Sequence, residues 1–143
     1  MQFSISPWQY DITVEELSRY YVNLHETVVY EELKKSSESY INGESSMGPI
    51  RPIWWVTDAD SIAYNIDDEF MVGDRYLVAP ILEQGSKERD IYLPGPKAKS
   101  SGKRIYWKDN LHPENQLIPG GTTLFNYRVE LEEISWWTLV LDG

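Results

Sequence analysis

Between Asp11 and about Lys35 the apolar and aromatic positions Leu17, Tyr20, Tyr21, Leu24 and Val28 recur at spacings of three and four, the period of a helix with one apolar face. Thr13-Val14-Glu15-Glu16 reads as a capping box at its start. Lys34 and Lys35 suit its far end, where cations complement the helix dipole. The polar stretch from Ser36 to Gly48 then predicts a loop. Beyond Gly48 the pattern changes to short runs rich in Ile, Val, Tyr and Trp. It predicts strands near Ile53–Thr57, Tyr76–Leu82, Arg89–Leu93, Arg104–Trp107, Thr122–Leu131 and Trp136–Leu141. Gly73-Asp74, Gly85-Ser86, Pro94-Gly95-Pro96 and Pro119-Gly120-Gly121 interrupt these runs with residues suited to chain reversal. The expected fold is mainly β, an antiparallel β-sandwich. Ahead of the helix, Met1-Gln2-Phe3-Ser4-Ile5 is an apolar run followed by Ser6-Pro7-Trp8, a strand ending in a loop. One strand and one helix cannot bury each other's faces, so this portion has the form of the last βα unit of a larger barrel. The helix is accordingly expected to leave its Tyr20/Tyr21/Leu24/Val28 face exposed.

Composition narrows the function classes. The 143 residues hold 23 acidic and 13 basic side chains, a net charge of −10. Only Lys34-Lys35 and Lys97/Lys99/Lys103-Arg104 approach a basic patch, so no nucleic-acid partner is expected. The chain has no cysteine, which excludes disulfides, zinc-thiolate sites and a cysteine nucleophile within it. No apolar run reaches the roughly 18 residues that span a bilayer, so no membrane segment is expected in this chain. The first residues also lack the basic-then-apolar order of a signal peptide.

Candidate chemistry is sparse. Asp58, Asp60, Asp67, Asp68, Glu69 and Asp74 form the densest acidic cluster. Asp58-Ala59-Asp60 begins like a calcium-binding EF-hand loop, but Ile62 stands where an oxygen ligand belongs and Tyr64 where the sharp turn needs glycine. Adjacent Asp67 and Asp68 point to different sides of the chain and cannot face each other as an acid-base pair. A solvated turn with one or two side chains capping backbone N–H groups is the expected role. His25 and His112 have no partners at ligand or triad spacing, so neither a metal site nor a Ser-His-Asp triad is expected. Trp54-Trp55 and Trp136-Trp137 are adjacent pairs in predicted strands; one member of each should face the core and the other outward. An outward Trp either stacks on a sugar ring or is covered by another element or domain.

The segments Gly48-Pro49-Ile50-Arg51-Pro52-Ile53-Trp54-Trp55, Asp67-Asp68-Glu69-Phe70-Met71-Val72-Gly73-Asp74 and Leu77-Val78-Ala79-Pro80-Ile81-Leu82 follow in order. They closely resemble G-x-P-x-x-R-P-[LI]-W, D-x-x-F-[ML]-x-G-D and L-V-A-P-[VI]-L of glycoside hydrolase family 31. The resemblance continues through Arg89-Asp90-Ile91-Tyr92-Leu93-Pro94, Tyr106-Trp107-Lys108-Asp109 and Val129-Glu130-Leu131-Glu132-Glu133-Ile134. Phe3-Ser4-Ile5-Ser6-Pro7-Trp8 further resembles the F-S-I-x-P-W of the myogenesis-regulating glycosidase branch. Most other members have an Arg and a His in the stretch of Phe3 to Ile5, so no sugar-contacting His is carried over.

The resemblance implies a retaining α-glycosidase that hydrolyses O-glycosyl bonds of terminal α-linked sugars, α-galactosides or α-glucosides. Its fold would be a (β/α)8 barrel followed by β-sandwich domains, without a cofactor. Two Asp carboxylates act in such enzymes, one as nucleophile and one as acid and base. Both belong to motifs that this sequence lacks, so no residue here inherits a catalytic role. Arg51 and Asp74 are better read as charges that hold the fold. Residues 1–47 are then expected to be the end of the catalytic barrel and residues 48–143 the C-terminal β-sandwich. The carbohydrate partner would be met through the full-length protein, with this segment packed on the missing barrel. Trp8, at the edge of that pocket, is the candidate for substrate binding by stacking, or else it packs between barrel and sandwich. The branch implies a secretory-pathway lumen or a membrane anchor elsewhere in the protein. The alternative is a non-catalytic carbohydrate-binding β-sandwich module.

Overall fold

The computed structural model describes residues 6–56, 60–95 and 104–142. The expected strand over Met1–Ile5 lies outside them, as do Thr57 and Asp58. A short 3-10 turn, Pro7–Gln9, leads into α1 (Ile12–Leu24), a five-residue π-helical stretch (His25–Val29) and α2 (Tyr30–Ile41). The helix begins where Asp11 Oδ1 accepts the Val14 amide at 3.0 Å, so Asp11 and not Thr13 is the cap. It also runs past Lys35. The Ser36 to Ile41 stretch, expected as loop, is helical because Ser36 is buried and Ser37 and Ser39 are half-buried, so packing overrides weak propensity. No helix among the described residues is long and apolar enough to cross a membrane.

The described residues form eight strands, β1 (Ile50–Pro52), β2 (Phe70–Val72), β3 (Tyr76–Ala79), β4 (Glu88–Leu93), β5 (Arg104–Asp109), β6 (Ile118–Pro119), β7 (Thr122–Arg128) and β8 (Ser135–Asp142). A six-stranded sheet runs β1-β2-β3-β8-β5-β6, and β4 pairs with β7 in a second sheet; every pairing is antiparallel. The expected strand at Ile53 is a correction. Pairing ends at Pro52, and Ile53–Trp55 closes into a 3-10 turn that buries Ile53 and stacks Trp54 on Tyr64. Strand β3 stops at Ala79, since Pro80 has no N–H to continue the ladder.

The alternating side chains of β3 and β8 separate two layers. Leu77 pairs with Trp137 and points into the core with Met71, Ile91, Leu93 and Trp107. Trp107 and Trp137 are fully buried, each removing roughly 200 Å² from water, worth about 4 to 5 kcal/mol. At the end of β4 the chains approach so closely that a Cβ on Gly95 would lie 2.4 Å from Gly120 Cα, and only glycine fits. The Leu93 carbonyl accepts the Gly121 amide at 2.7 Å, and the Pro94 carbonyl accepts Trp107 Nε1 at 2.8 Å. The opposite face of the large sheet carries Phe70, Val72, Tyr76, Val78 and Trp136, and the helix lies across it.

Candidate functional site

Trp8 occupies the turn ahead of the helix. Pro7 presets the backbone, the Ser6 amide donates to Gln9 Oε1 at 3.0 Å, and the Gln9 amide donates to the Ser6 carbonyl at 2.9 Å. The turn is therefore held without using the indole, which is 71% exposed. Tyr10 beside it is exposed as well. The result is an exposed aromatic surface at the N-terminal end of the helix.

The helix face expected to be bare is a second correction. Tyr21, Leu24 and Val28 are half-buried against Phe70, Val78 and Trp136, because the sheet is apolar on both sides and supplies a cover. Tyr20 remains exposed. The helix is pinned at two points. Tyr21 Oη donates to the Glu132 carbonyl at 2.6 Å, and Glu32 Oε1 accepts the Asp74 amide at 2.9 Å. Glu32 lies directly over Gly73, whose φ of +59° and lack of a Cβ make room for the carboxylate. Between the pins an apolar groove of about 410 Å³ remains open. Trp136 lines it while Trp137 fills the core, as strand alternation predicts. Trp54 and Trp55 do not divide this way, since both are half-buried in the 3-10 turn.

The buried acidic residues are spent on the fold. Asp60, expected in a solvated turn, is 1% exposed. Its carboxylate accepts the Tyr92 hydroxyl at 2.8 and 2.7 Å and the amides of Ile62, Ala63 and Gly95 at 3.2, 3.3 and 3.3 Å. Burial, and then the bond to Asp60, push the Tyr92 phenol well above its ordinary range. Asp109 repeats the device, accepting the amides of Leu111 and His112 and the Tyr127 hydroxyl at 2.8 Å. Burial and that hydrogen bond raise the Tyr127 phenol likewise. Asp67 is exposed. Buried Arg51 donates from Nη1 to Asp74 Oδ1 at 2.6 Å and from Nε to the Gly48 carbonyl at 3.0 Å, tying β1 to the β2–β3 turn.

A nucleophile or proton donor must present a free oxygen to a pocket, and the buried carboxylates of Asp60 and Asp109 instead accept multiple fixed donors. His112 Nδ1 lies 3.7 Å from Glu114 Oε1, and His25 is exposed on the helix. Among the described residues no group of three or more His, Asp or Glu side chains is placed to hold a metal ion. Sequence patterning missed Tyr92, Tyr127, Glu32 and Asp109 as partners. Each pair joins residues that are far apart along the chain, and no local period reports that.

The model of the glycosyl hydrolase family 31 C-terminal domain matches residues 46–134. The myogenesis-regulating glycosidase of Mus musculus is 35% identical over 138 residues, covering 96% of this chain and 18% of that protein. The SITS-binding protein of Tetronarce californica is 38% identical over 138 residues, covering 94% and 18%. This chain thus spans less than a fifth of the length of these relatives. In fold it is similar to a GH31 α-xylosidase from a soil metagenome, with a TM-score of 0.72 and 21% identity over 96% of this chain and 18% of that one. It is similar also to a cycloalternan-degrading enzyme from Trueperella pyogenes, with a TM-score of 0.76 and 17% identity over the same shares.

Proposed function

The chain belongs to glycosyl hydrolase family 31, and on that premise we propose that it is the non-catalytic C-terminal part of a retaining α-glycosidase. The parent protein would hydrolyse terminal α-linked sugars, α-galactosides or α-glucosides. One carboxylate outside this chain attacks the anomeric carbon, and a second protonates the leaving oxygen and then activates water. Residues 1–47 close the barrel that carries them, and residues 48–143 are the sandwich that supports it. The observation that carries this reading is the engagement of Glu32, Asp60, Glu69 and Asp109, the buried carboxylates of the described residues, by backbone, phenol or guanidinium donors. The α-glucosidase relatives, such as neutral alpha-glucosidase AB of Homo sapiens at 39% identity over 46 residues, favour a glycoside substrate.

Trp8 is the residue of this chain that meets the sugar. Its exposed indole offers an apolar face to the C–H side of a pyranose ring. The test is the parent protein on aryl α-galactosides and α-glucosides, with the anomer of the first product read by NMR. Release of the α-anomer supports the reading; the β-anomer, or no cleavage of either substrate, removes it.

The exposure of Trp8 also favours a second reading, in which the chain binds sugar without cleaving any. Titration of the chain with glucose, galactose and their α-linked disaccharides separates the two. Quenching of Trp emission at millimolar sugar that disappears in Trp8→Ala supports a binding module, and an unchanged spectrum removes it.

A further inference from the structure

Glu69 precedes β2 in the large sheet, and its side chain is 1% exposed. Oε1 accepts the Tyr92 amide at 2.8 Å and lies 3.4 Å from Arg89 Nη2, whereas Oε2 is buried with no partner among the described residues. The same Nη2 stands 2.9 Å from Asp68 Oδ2. Arg89 Nη1 donates to the carbonyls of Pro80 and Asp68, and Nε donates to the Asp90 carbonyl at 3.0 Å. One guanidinium therefore joins the segment before β2, the exit of β3 and strand β4, and it is shared between two carboxylates. The half-exposed Asp68 holds the shorter contact. Ionised Glu69 would keep a long charge contact and one amide donor, with its second oxygen out of reach of water.

Among the described residues the surroundings offer it no other countercharge. From β4 it meets the Arg89 guanidinium and the Tyr92 amide; the Tyr92 hydroxyl is committed to Asp60, and Asp90 Oδ1 accepts the Asn126 amide. From its own segment it meets Asp68, a like charge. From the exit of β3 comes only the Pro80 carbonyl, already taken by Arg89.

We propose that Glu69 is a proton-sensitive joint between the two sheets, firmest while its carboxyl is neutral and weakened when ionisation leaves a charge on the buried, unpartnered Oε2 with Arg89 drawn toward Asp68. Burial pushes the Glu69 carboxyl up to about 7 and neighbouring Asp68 adds to the rise, against the opposing pull of the Tyr92 amide and Arg89. The folded value thus lies above the unfolded one of about 4.3. Linkage then makes its contribution to stability fully present in acid and lost as the pH rises through about 7.

The test follows the Glu69 carboxyl carbon by NMR and the urea midpoint of the chain from about pH 5 to pH 8.5, in the wild type and in Glu69→Gln and Asp68→Asn. The expected result is a carboxyl titration centred near pH 7 and a urea midpoint that falls from about pH 5 to about pH 7 and levels off above it. Glu69→Gln should remove that fall. Asp68→Asn should move the carboxyl titration to lower pH by about one unit, because Arg89 is released to Glu69. A Glu69 carboxyl that titrates below about pH 5 would overturn the proposal, as would a pH dependence retained in Glu69→Gln or an unshifted titration in Asp68→Asn. The NMR reading stands if Glu69→Gln does not fold, and neither readout depends on glycosidase activity.

Discussion

Replacing Gly73 by alanine should detach the helix from the sheet. The new Cβ would fall 2.3 Å from Glu32 Oε1 and 2.4 Å from Glu32 Cγ, both inside any tolerable contact, so the buried carboxylate must leave. Its departure strands the Asp74 amide, which now donates to it at 2.9 Å. A hydrogen bond to a charged acceptor contributes about 1.5 to 3 kcal/mol. The backbone φ of +59° costs alanine a further 1 to 2 kcal/mol or so. The sum, about 2.5 to 5 kcal/mol, is a large share of the roughly 5 to 15 kcal/mol by which a domain is stable. Hydrogen exchange of the Asp74 amide reads this locally. At tenfold per 1.4 kcal/mol it should speed up by about 60-fold or more, with Tyr21 and Trp136 becoming more accessible to solvent. Glu32→Gln keeps the acceptor oxygen and should change exchange by less than about tenfold. Exchange in Gly73→Ala within about threefold of the parent would show that Glu32 does not pin the helix.

Three further substitutions probe other parts of the account. Gly95→Ala drives a Cβ into the Gly120 backbone and should cost about 3 kcal/mol or more, read as a lower urea midpoint; a loss under 1 kcal/mol or so would mean that the two strands are not apposed as described. Tyr92→Phe removes the hydroxyl that Asp60 accepts on both oxygens and should cost about 1.5 to 3 kcal/mol at neutral pH, by the same denaturation. Trp8→Ala should leave stability within about 0.5 kcal/mol, the indole being exposed, while lowering kcat/KM of the parent enzyme by tenfold or so; unchanged kinetics would take Trp8 out of the substrate site.

The parts of the fold legible in the sequence were those with a local period. Leu17 through Val28 marks the helix, and the alternation around Leu77 and Trp137 marks two strands that do pair in register. Strand β2 at Phe70–Val72 is not legible, because three apolar residues carry no alternation to count. The extension of α2 to Ile41 depends on burial of Ser36, a long-range effect. The cover over the helix face is not legible in the sequence: Trp136 marks an outward aromatic, but no local period shows that Phe70, Val78 and Tyr76 share its side. Asp60 stood among six acids that read alike in sequence, and only the fold gives it Tyr92. The family resemblance, by contrast, rested on ordered motifs and needed no three-dimensional information.

The most direct measurement is hydrolysis of 4-nitrophenyl α-galactoside and α-glucoside by the purified 143-residue chain, before and after a second purification. No turnover above buffer is the expected result, because the carboxylates described here are held by the fold. Turnover that survives the second purification with constant specific activity would place a catalytic pair within these residues and contradict the account.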